Sequence, residues 1–191
     1  YIVPDTLEDA NDTIEKFTRW SHNNDQKINT VEYNPIKMGV VQGKSWNDLI
    51  ECYEFMSKHA DMIAISFDYS YYNITGKGDT RLEQYMSGRR RLIKQLIDEG
   101  YWNWEKPHHL LGCSLAREFR YYVDHDIWNI RSCDTSNPIV AAIKGLRYRD
   151  DLGLTTKPST LLADLINHEL DDDQLDLVYY NTKMFKKILK R

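Results

Sequence analysis

Short apolar runs alternate with longer amphipathic stretches along this chain. The apolar runs cover about 1–4, 37–42, 62–67, 109–113 and 128–133. Their almost continuous hydrophobic character is typical of parallel strands that are covered on both faces. Between the runs, apolar residues recur at helical spacing and predict helices over about 11–21, 45–56, 81–100 and 115–124. Ser45 is the predicted N-cap of the second of these helices, and Gly100 is the predicted C-cap of the third. Repeated strand–helix units of this kind indicate an α/β protein with a parallel sheet.

The two ends of the chain differ from this repeat. From residue 157 onward no strand is predicted, and the pattern gives a C-terminal helical segment over 157–191, with helices over about 159–169 and 173–190. The sequence Tyr1–Asp5, which has no initiating Met, already resembles the inside of a strand. We therefore expect one domain over 1–191, the later part of a TIM-type (β/α) barrel whose first strands precede this chain.

A polar residue follows each predicted strand at its carboxyl end. These residues are Asp5, Gln42, Asp68, Ser114 and Asp134. In a TIM-type barrel the carboxyl ends of the strands surround one pocket, where the catalytic groups lie. The pattern therefore predicts a single site built from these five side chains.

Composition narrows the function classes. Hydrophobic residues make up 41% and charged residues 28%, as in a globular protein, and no apolar run reaches the roughly 18 residues of a membrane span. Three cysteines without a CxxC pair give neither a zinc site nor a disulfide framework, so we expect a cytoplasmic protein with no metal and no cofactor. The net charge of -4 still allows a local basic face, and one cluster is a candidate for phosphate contacts. It comprises Arg89, Arg90, Arg91 and Lys94.

Several stretches together resemble the tRNA-guanine transglycosylases. Gly39–Gly43 (GVVQG) and Ile63–Ser66 are similar to two consecutive strands of that family, and Lys106–Gly112 is similar to its KPRYLMG run. Ile127–Asp134 stands where the family carries its nucleophilic aspartate, and Tyr1–Asp5 resembles the strand whose final Asp contacts guanine. The order and spacing agree over most of residues 1–140.

The chain also departs from the family pattern. The zinc-binding Cys/His cluster is missing, since no cysteine follows Cys133, and the strand with the second catalytic aspartate would precede Tyr1. A register set by Cys133 places Ser132 at the nucleophile position, whereas a shift of two residues places Asp134 there on the same strand face. These features resemble the zinc-lacking relatives of phages and bacteria that insert 7-deazaguanines such as preQ0 into DNA.

The resemblance implies a base exchange in which Asp134 attacks the sugar and forms a covalent intermediate. Asp5 and Gln42, with Gly43, would bind the edges of the base, and Asp68 and Ser114 would complete the substrate site. The implied partners are a nucleic acid, DNA in preference to tRNA, and a 7-deazaguanine base. A base inside a nucleic acid must be flipped out to reach such a pocket.

Other interpretations stay open. Asp134 could simply be a turn residue, and the chain could be a catalytically inactive or partial barrel that binds nucleic acid or a protein. An unrelated barrel hydrolase is a third alternative. The stretch 69–79 is a candidate lid with possible stacking residues Tyr69, Tyr71 and Tyr72, whereas His108 and His109 are interpreted as ordinary loop residues.

Overall fold

The structure, a computed structural model, describes residues 1–28, 36–149, 154, 165 and 167–189. The chain divides into two compact units. The first unit comprises Tyr1–Leu111 and Asn129–Cys133, and the second comprises Gly112–Trp128 and Asp134–Arg191. The single barrel domain over 1–191 stays a prediction.

The described residues form four strands and seven helices. In chain order these are α1 Ala10–Ile28, β1 Met38–Val41, α2 Trp46–His59, β2 Met62–Ile65, α3 Tyr71–Thr75, α4 Arg81–Asp98, β3 His108–Leu110, α5 Ala116–Asp124, β4 Ile130–Cys133, α6 Asn137–Ile143 and α7 Asp172–Leu189. All four strands and the helices up to α4 belong to the first unit.

The four strands form one parallel sheet in the order β1-β2-β3-β4. Ile2 adds a parallel bridge to Met38, so the first apolar run lies beside β1. In this order each strand pairs with the strand that follows it in the sequence. The predicted α/β class with a parallel sheet is confirmed. Four of the five predicted strands are present, three within the predicted bounds and β3 beginning one residue earlier at His108, whereas the first predicted strand contributes only the Ile2 bridge.

Close packing of helices on β1 explains why Gly39 lies in the middle of a strand. A Cβ atom there would lie 3.0 Å from Ala60 Cβ and 3.1 Å from the Phe17 ring. Because both distances are tighter than ordinary van der Waals contact, a side chain at Gly39 would push α1 and α2 away from the sheet.

Side-chain caps fix the starts of two long helices. The Ser45 hydroxyl accepts from the Asp48 backbone N–H, and the Asp48 carboxylate accepts from the Ser45 backbone N–H. The predicted cap of α2 is therefore a complete capping box. Thr80 and Glu83 form the same arrangement at α4. At the other end of that helix Gly100 has φ +82°, as predicted for a helix-ending glycine.

One local prediction is wrong. The stretch 69–79 is not simply a polar loop, because it contains α3, and Tyr69 and Tyr72 are fully buried. Further along the chain, Pro138 lies in the first turn of α6, where its missing N–H leaves no hydrogen bond unmade.

In the second unit α7 packs against α5 and α6. Asn181 of α7 is fully buried, and its amide accepts from Tyr148 N at 2.8 Å and donates to Leu146 O at 2.9 Å. The helix predicted over 173–190 is confirmed as α7, whereas the one predicted over 159–169 lies mostly outside the described residues. No described helix has the length and apolar character needed to cross a membrane.

Candidate active site

Gln42 joins the ends of the first two parallel segments. Its Nε2 donates to Asp5 Oδ2 at 2.6 Å, and its Oε1 accepts from Glu8 N at 2.9 Å. Gln42 is 3% exposed, while Asp5 is half-buried. The structure thus brings together two predicted base-binding residues that are 37 positions apart in the chain. Since the carbonyl and one amide hydrogen of Gln42 are engaged, Asp5 is the better candidate to contact a base.

Glu8 closes the loop that follows the first segment. It has a positive φ of 58°, and its carboxylate accepts from the Ser70 backbone N–H. Partial burial acts to raise the pKa of the Glu8 carboxyl, but the hydrogen bonds from Ser70 outweigh it, so the pKa lies below its ordinary value. Two hydrogen bonds of Glu8 therefore hold the loop: its backbone N–H donates to Gln42, and its carboxylate accepts from Ser70 N.

Gly43 has a structural reason to be glycine. A Cβ atom at this position would lie 2.8 Å from both Leu49 N and Asp48 Cβ, so a side chain would collide with the first turn of α2. The neighbouring Gln42 N–H donates to Cys52 Sγ at 3.3 Å, and burial raises the pKa of that thiol to about 12. Cys52 is consequently an inert packing residue.

Asp68 follows β2 and carries an exposed carboxylate. Its side chain is 64% exposed and faces Arg81 at 3.9 Å. Within the described part of the first unit, no hydrogen bond links Asp68 to Asp5 or Gln42. The structure therefore does not assemble Asp68 with those two residues.

Asp134, in the second unit, is exposed and oriented by backbone. Its Oδ1 accepts from Gly112 N at 3.0 Å, and its carbonyl accepts from Cys113 N at 2.8 Å. Gly112 has φ +64°, a left-handed conformation that favours glycine. A carboxylate that is accessible and held by a backbone N–H suits a nucleophile, and the same bond also suits a turn.

Ser114 supports the chain around it. Its carbonyl accepts from Asn137 Nδ2, and Asn137 Oδ1 accepts in turn from the Tyr148 hydroxyl at 2.9 Å. The Ser114 hydroxyl donates to Gly112 O at 3.4 Å, and the residue is 9% exposed. These bonds give Ser114 a structural role in the second unit.

Ser132, the other candidate for the nucleophile position, is hydrogen-bonded to a histidine. Ser132 Oγ lies 2.7 Å from His109 Nδ1, across the paired strands β3 and β4. A register irregularity between His108 and His109 allows this pairing, because it moves β4 forward by one residue. Pattern analysis missed the contact, since strand register is not visible in the sequence of either strand alone.

The basic cluster divides into buried and exposed members. Arg89 is fully buried: its Nη1 donates to Ile65 O at 3.2 Å and Leu111 O at 2.6 Å. The prediction that Arg89 contacts phosphate is therefore wrong, because its charge lies in the core. Arg91 and Lys94 are exposed and Arg90 is half-buried. A cleft of about 220 Å³ has as lining residues Tyr71, Thr75, Arg91, Leu92, Lys94, Gln95 and Asp98.

His108 forms a buried polar network at the amino-terminal end of β3. Its Nε2 lies 2.8 Å from the Tyr53 hydroxyl and its Nδ1 lies 3.0 Å from Lys106 O, while the Trp102 ring stacks on it at 3.8 Å. Burial lowers the pKa of the imidazole to about 3, so it is neutral in the folded protein. The interpretation of His108 as a loop residue is wrong. The apolar residues directly after His108 were the sequence signal that could have placed it in a buried strand.

Two further observations concern metal binding and similarity to known proteins. In the described residues, no group of three or more His, Cys, Asp or Glu side chains is arranged to hold a metal ion. Family models, curated proteins and solved structures contain no match to this chain.

Proposed function

We propose that the chain is a base-exchange transglycosylase that replaces guanine in a nucleic acid, DNA in preference to tRNA, by a 7-deazaguanine. The observation that carries the proposal is the 2.6 Å bond between Gln42 and Asp5. It places a carboxylate and a buried amide together where two parallel segments end, which is where α/β enzymes bind their substrates.

A TIM-type barrel is the architecture that we propose for this activity. In the sheet, strands follow one another in sequence order, from the Ile2 bridge through β1 to β4. A doubly wound sheet reverses its strand order at a switch point, and the four described strands contain no such reversal. This continuous order supports a barrel.

In the proposed reaction the Asp134 carboxylate attacks C1′ of the target nucleotide. A bond forms between the carboxylate oxygen and C1′ while the bond from C1′ to the base nitrogen breaks, and the departing base keeps the electron pair and takes up a proton. The incoming base then displaces the carboxylate after losing its own proton. Two displacements retain the configuration at C1′. The hydrogen bond from Gly112 N would hold the carboxylate in its attacking orientation.

Asp5 and the exposed cations complete the proposed assignment. Asp5 would accept from the ring N–H and amino group of the base, and Gln42 would position Asp5. Arg91 and Lys94 would contact phosphates of the nucleic acid, with Tyr71 beside them in the same cleft. Asp68 and Ser114 have no contact that gives them a part in these steps.

A second candidate function is a barrel that binds nucleic acid or protein without catalysis. The observation favouring it is the Gly112–Asp134 hydrogen bond, which is also what a purely structural turn would contain. The side chain of Gln42 favours it as well, because its Oε1 and its Nε2 each already have a partner within the protein.

The substitution Asp134→Asn separates the two functions. Asparagine keeps an oxygen that accepts from Gly112 N, so the turn survives, but it removes the charge that a nucleophile needs. Asp126→Asn is the matched control, because Asp126 is an exposed acid whose φ of +56° asparagine tolerates. Incorporation of labelled preQ0 or guanine into DNA and tRNA is the measurement.

We expect Asp134→Asn to abolish incorporation while nucleic-acid binding persists, and Asp126→Asn to retain both. Exchange that persists in Asp134→Asn would rule out this nucleophile. Binding without any exchange in the unmodified chain would support the second candidate, whereas release of free base without incorporation would indicate a hydrolase. Trapping a protein–DNA adduct in denaturing gels, absent from Asp134→Asn, would identify the covalent step directly.

A further inference from the structure

Helix α7 has an outward face that the described residues of its unit leave largely exposed. Its inward face packs the buried residues Asn181, Met184, Phe185 and Ile188. The outward face comprises Asp172, Leu175, Asp176, Tyr179, Thr182, Lys183, Lys186 and Lys187, and Asp171 directly precedes the first turn. Tyr179 is 67% exposed and Leu175 is 39% exposed, so two large apolar side chains stand at the centre of this face.

The charges on this face are segregated. The three acids Asp171, Asp172 and Asp176 precede Tyr179, and the three lysines follow it. The helix macrodipole favours acids in the first turn and bases in the last turn, but its effect fades within those turns. Asp176 and Lys183 lie further inside, where like charges at i, i+4, such as Asp172 with Asp176, destabilise a helix. The helix dipole alone therefore does not account for Asp176 and Lys183.

The pattern is complementary to itself when reversed about Tyr179. Asp172 and Lys186 are each seven residues from Tyr179, and Asp171 and Lys187 are each eight residues from it. If two copies of α7 lay antiparallel with the Tyr179 side chains at the two-fold axis, Asp172 would face Lys186 and Asp171 would face Lys187 of the other copy. In the described part of the chain, the ion pairs found include none of these residues.

We propose that the outward face of α7 is a dimer interface and that its occupant is α7 of a second copy, in antiparallel orientation. A cavity of about 850 Å³ runs beside the basic half, lined by Tyr179, Thr182, Lys183, Met184, Lys186 and Lys187. The acidic half of the second copy, with Leu175 between its carboxylates, has the charge and the apolar centre that this groove lacks. Each copy contributes the same patch, as a two-fold interface requires.

The dimer is expected to be weak and sensitive to salt. An 18-residue helix is about 27 Å long, and its face is smaller than the roughly 800 Å² per partner of a standard stable interface. Attraction between the helices comes largely from exposed ion pairs, which salt screens. Association should therefore be reversible at micromolar concentrations and should weaken as salt increases.

A pair of charge variants tests the interface. Lys183→Glu with Lys186→Glu makes the face predominantly acidic, and Asp172→Lys with Asp176→Lys makes it predominantly basic. Both sets are at the surface, so the fold should survive, which circular dichroism checks. Lys58→Glu with Lys77→Glu makes the same change in net charge on exposed residues outside α7. Sedimentation velocity over a concentration series measures the assembly.

The unmodified chain and the control should dimerise, each charge variant alone should sediment as a monomer, and an equal mixture of the two variants should form a heterodimer. Tyr179→Ala should weaken the dimer by removing its apolar centre. The proposal is overturned if the unmodified chain stays monomeric up to its solubility limit, or if the mixture stays monomeric. It is also overturned if the lysine substitutions abolish nucleic-acid binding and leave the sedimentation of the chain unchanged.

Discussion

The side-chain amide of Gln42 donates to Asp5 Oδ2 at 2.6 Å, so the residue after β1 holds the carboxylate that ends the preceding parallel segment. The same side chain accepts from Glu8 N, and Glu8 in turn accepts from Ser70 N. Gln42 thereby links three loops of the first unit, and its role can be tested without any assumption about substrate.

Gln42→Met should destabilise the first unit. Methionine has a similar length but leaves the Glu8 N–H and the Asp5 carboxylate without their partner, which costs about 1–3 kcal/mol for buried groups. Gln95→Met is the control, because the Gln95 amide contacts Glu99 on the surface of α4. Urea denaturation should show a loss in the Gln42 variant and little change in the control. Equal losses of unfolding free energy in the two variants would mean that the hydrogen bonds of Gln42 stabilise the unit no more than a surface contact does.

His108 should make stability depend on pH in a defined window. Burial lowers the pKa of its imidazole from 6.5 to about 3, so below pH 6.5 the unfolded chain binds a proton that the folded chain does not. Unfolding therefore becomes easier as pH falls from 6.5 towards 3, by about 1.4 kcal/mol per pH unit for one proton.

His108→Gln should remove this one-proton slope, even though it also lowers the stability at neutral pH by losing the stacking on Trp102. His125→Gln is the control, since His125 is exposed. The measurement is the free energy of unfolding at several pH values between 4 and 6.5, compared as slopes. A slope that is unchanged in His108→Gln would contradict burial of a neutral imidazole.

Arg89 and Arg91 should respond in opposite ways to substitution. Arg89→Lys loses the planar fork that reaches two backbone carbonyls and stacks on Phe67 at 4.9 Å, so it should cost about 1–3 kcal/mol of stability. Arg91→Ala should change stability by less than about 0.5 kcal/mol. If the chain binds nucleic acid, Arg91→Ala should weaken binding and reduce the salt slope by about one. Denaturation and salt titration of binding distinguish the two arginines.

The predictable part of the fold was that governed by local pattern. Hydrophobic runs gave all four strands of the parallel sheet, and Ser45 and Gly100 marked helix ends, because periodicity and end residues act over a few positions. The α3 helix was missed because its five residues are too short to show a period, and its position depends on the burial of Tyr69 and Tyr72.

The site was less predictable, because burial and register are tertiary properties. The sequence located Asp5 and Gln42 at strand ends, but the loop that engages Gln42 through Glu8 is visible only in three dimensions. Arg89 shows the same limit: three consecutive arginines look alike in sequence, yet helical rotation places one of them in the core. The transglycosylase function itself stays a prediction.

Gly112 provides the closing test, because it joins backbone conformation to the proposed chemistry. Gly112 and Gly145 both belong to the second unit and have positive φ angles of 64° and 69°. Alanine at either position should cost about 1–2 kcal/mol through backbone strain. The backbone N–H of Gly112, unlike that of Gly145, donates to the Asp134 carboxylate, so Gly112→Ala should also slow base exchange. Nothing lies within 4 Å of a Cβ at Gly145, so Gly145→Ala should lose stability alone. The measurement is the rate of base exchange of the two variants under conditions where both are folded. Equal rates would mean that the Gly112–Asp134 hydrogen bond does not contribute to catalysis.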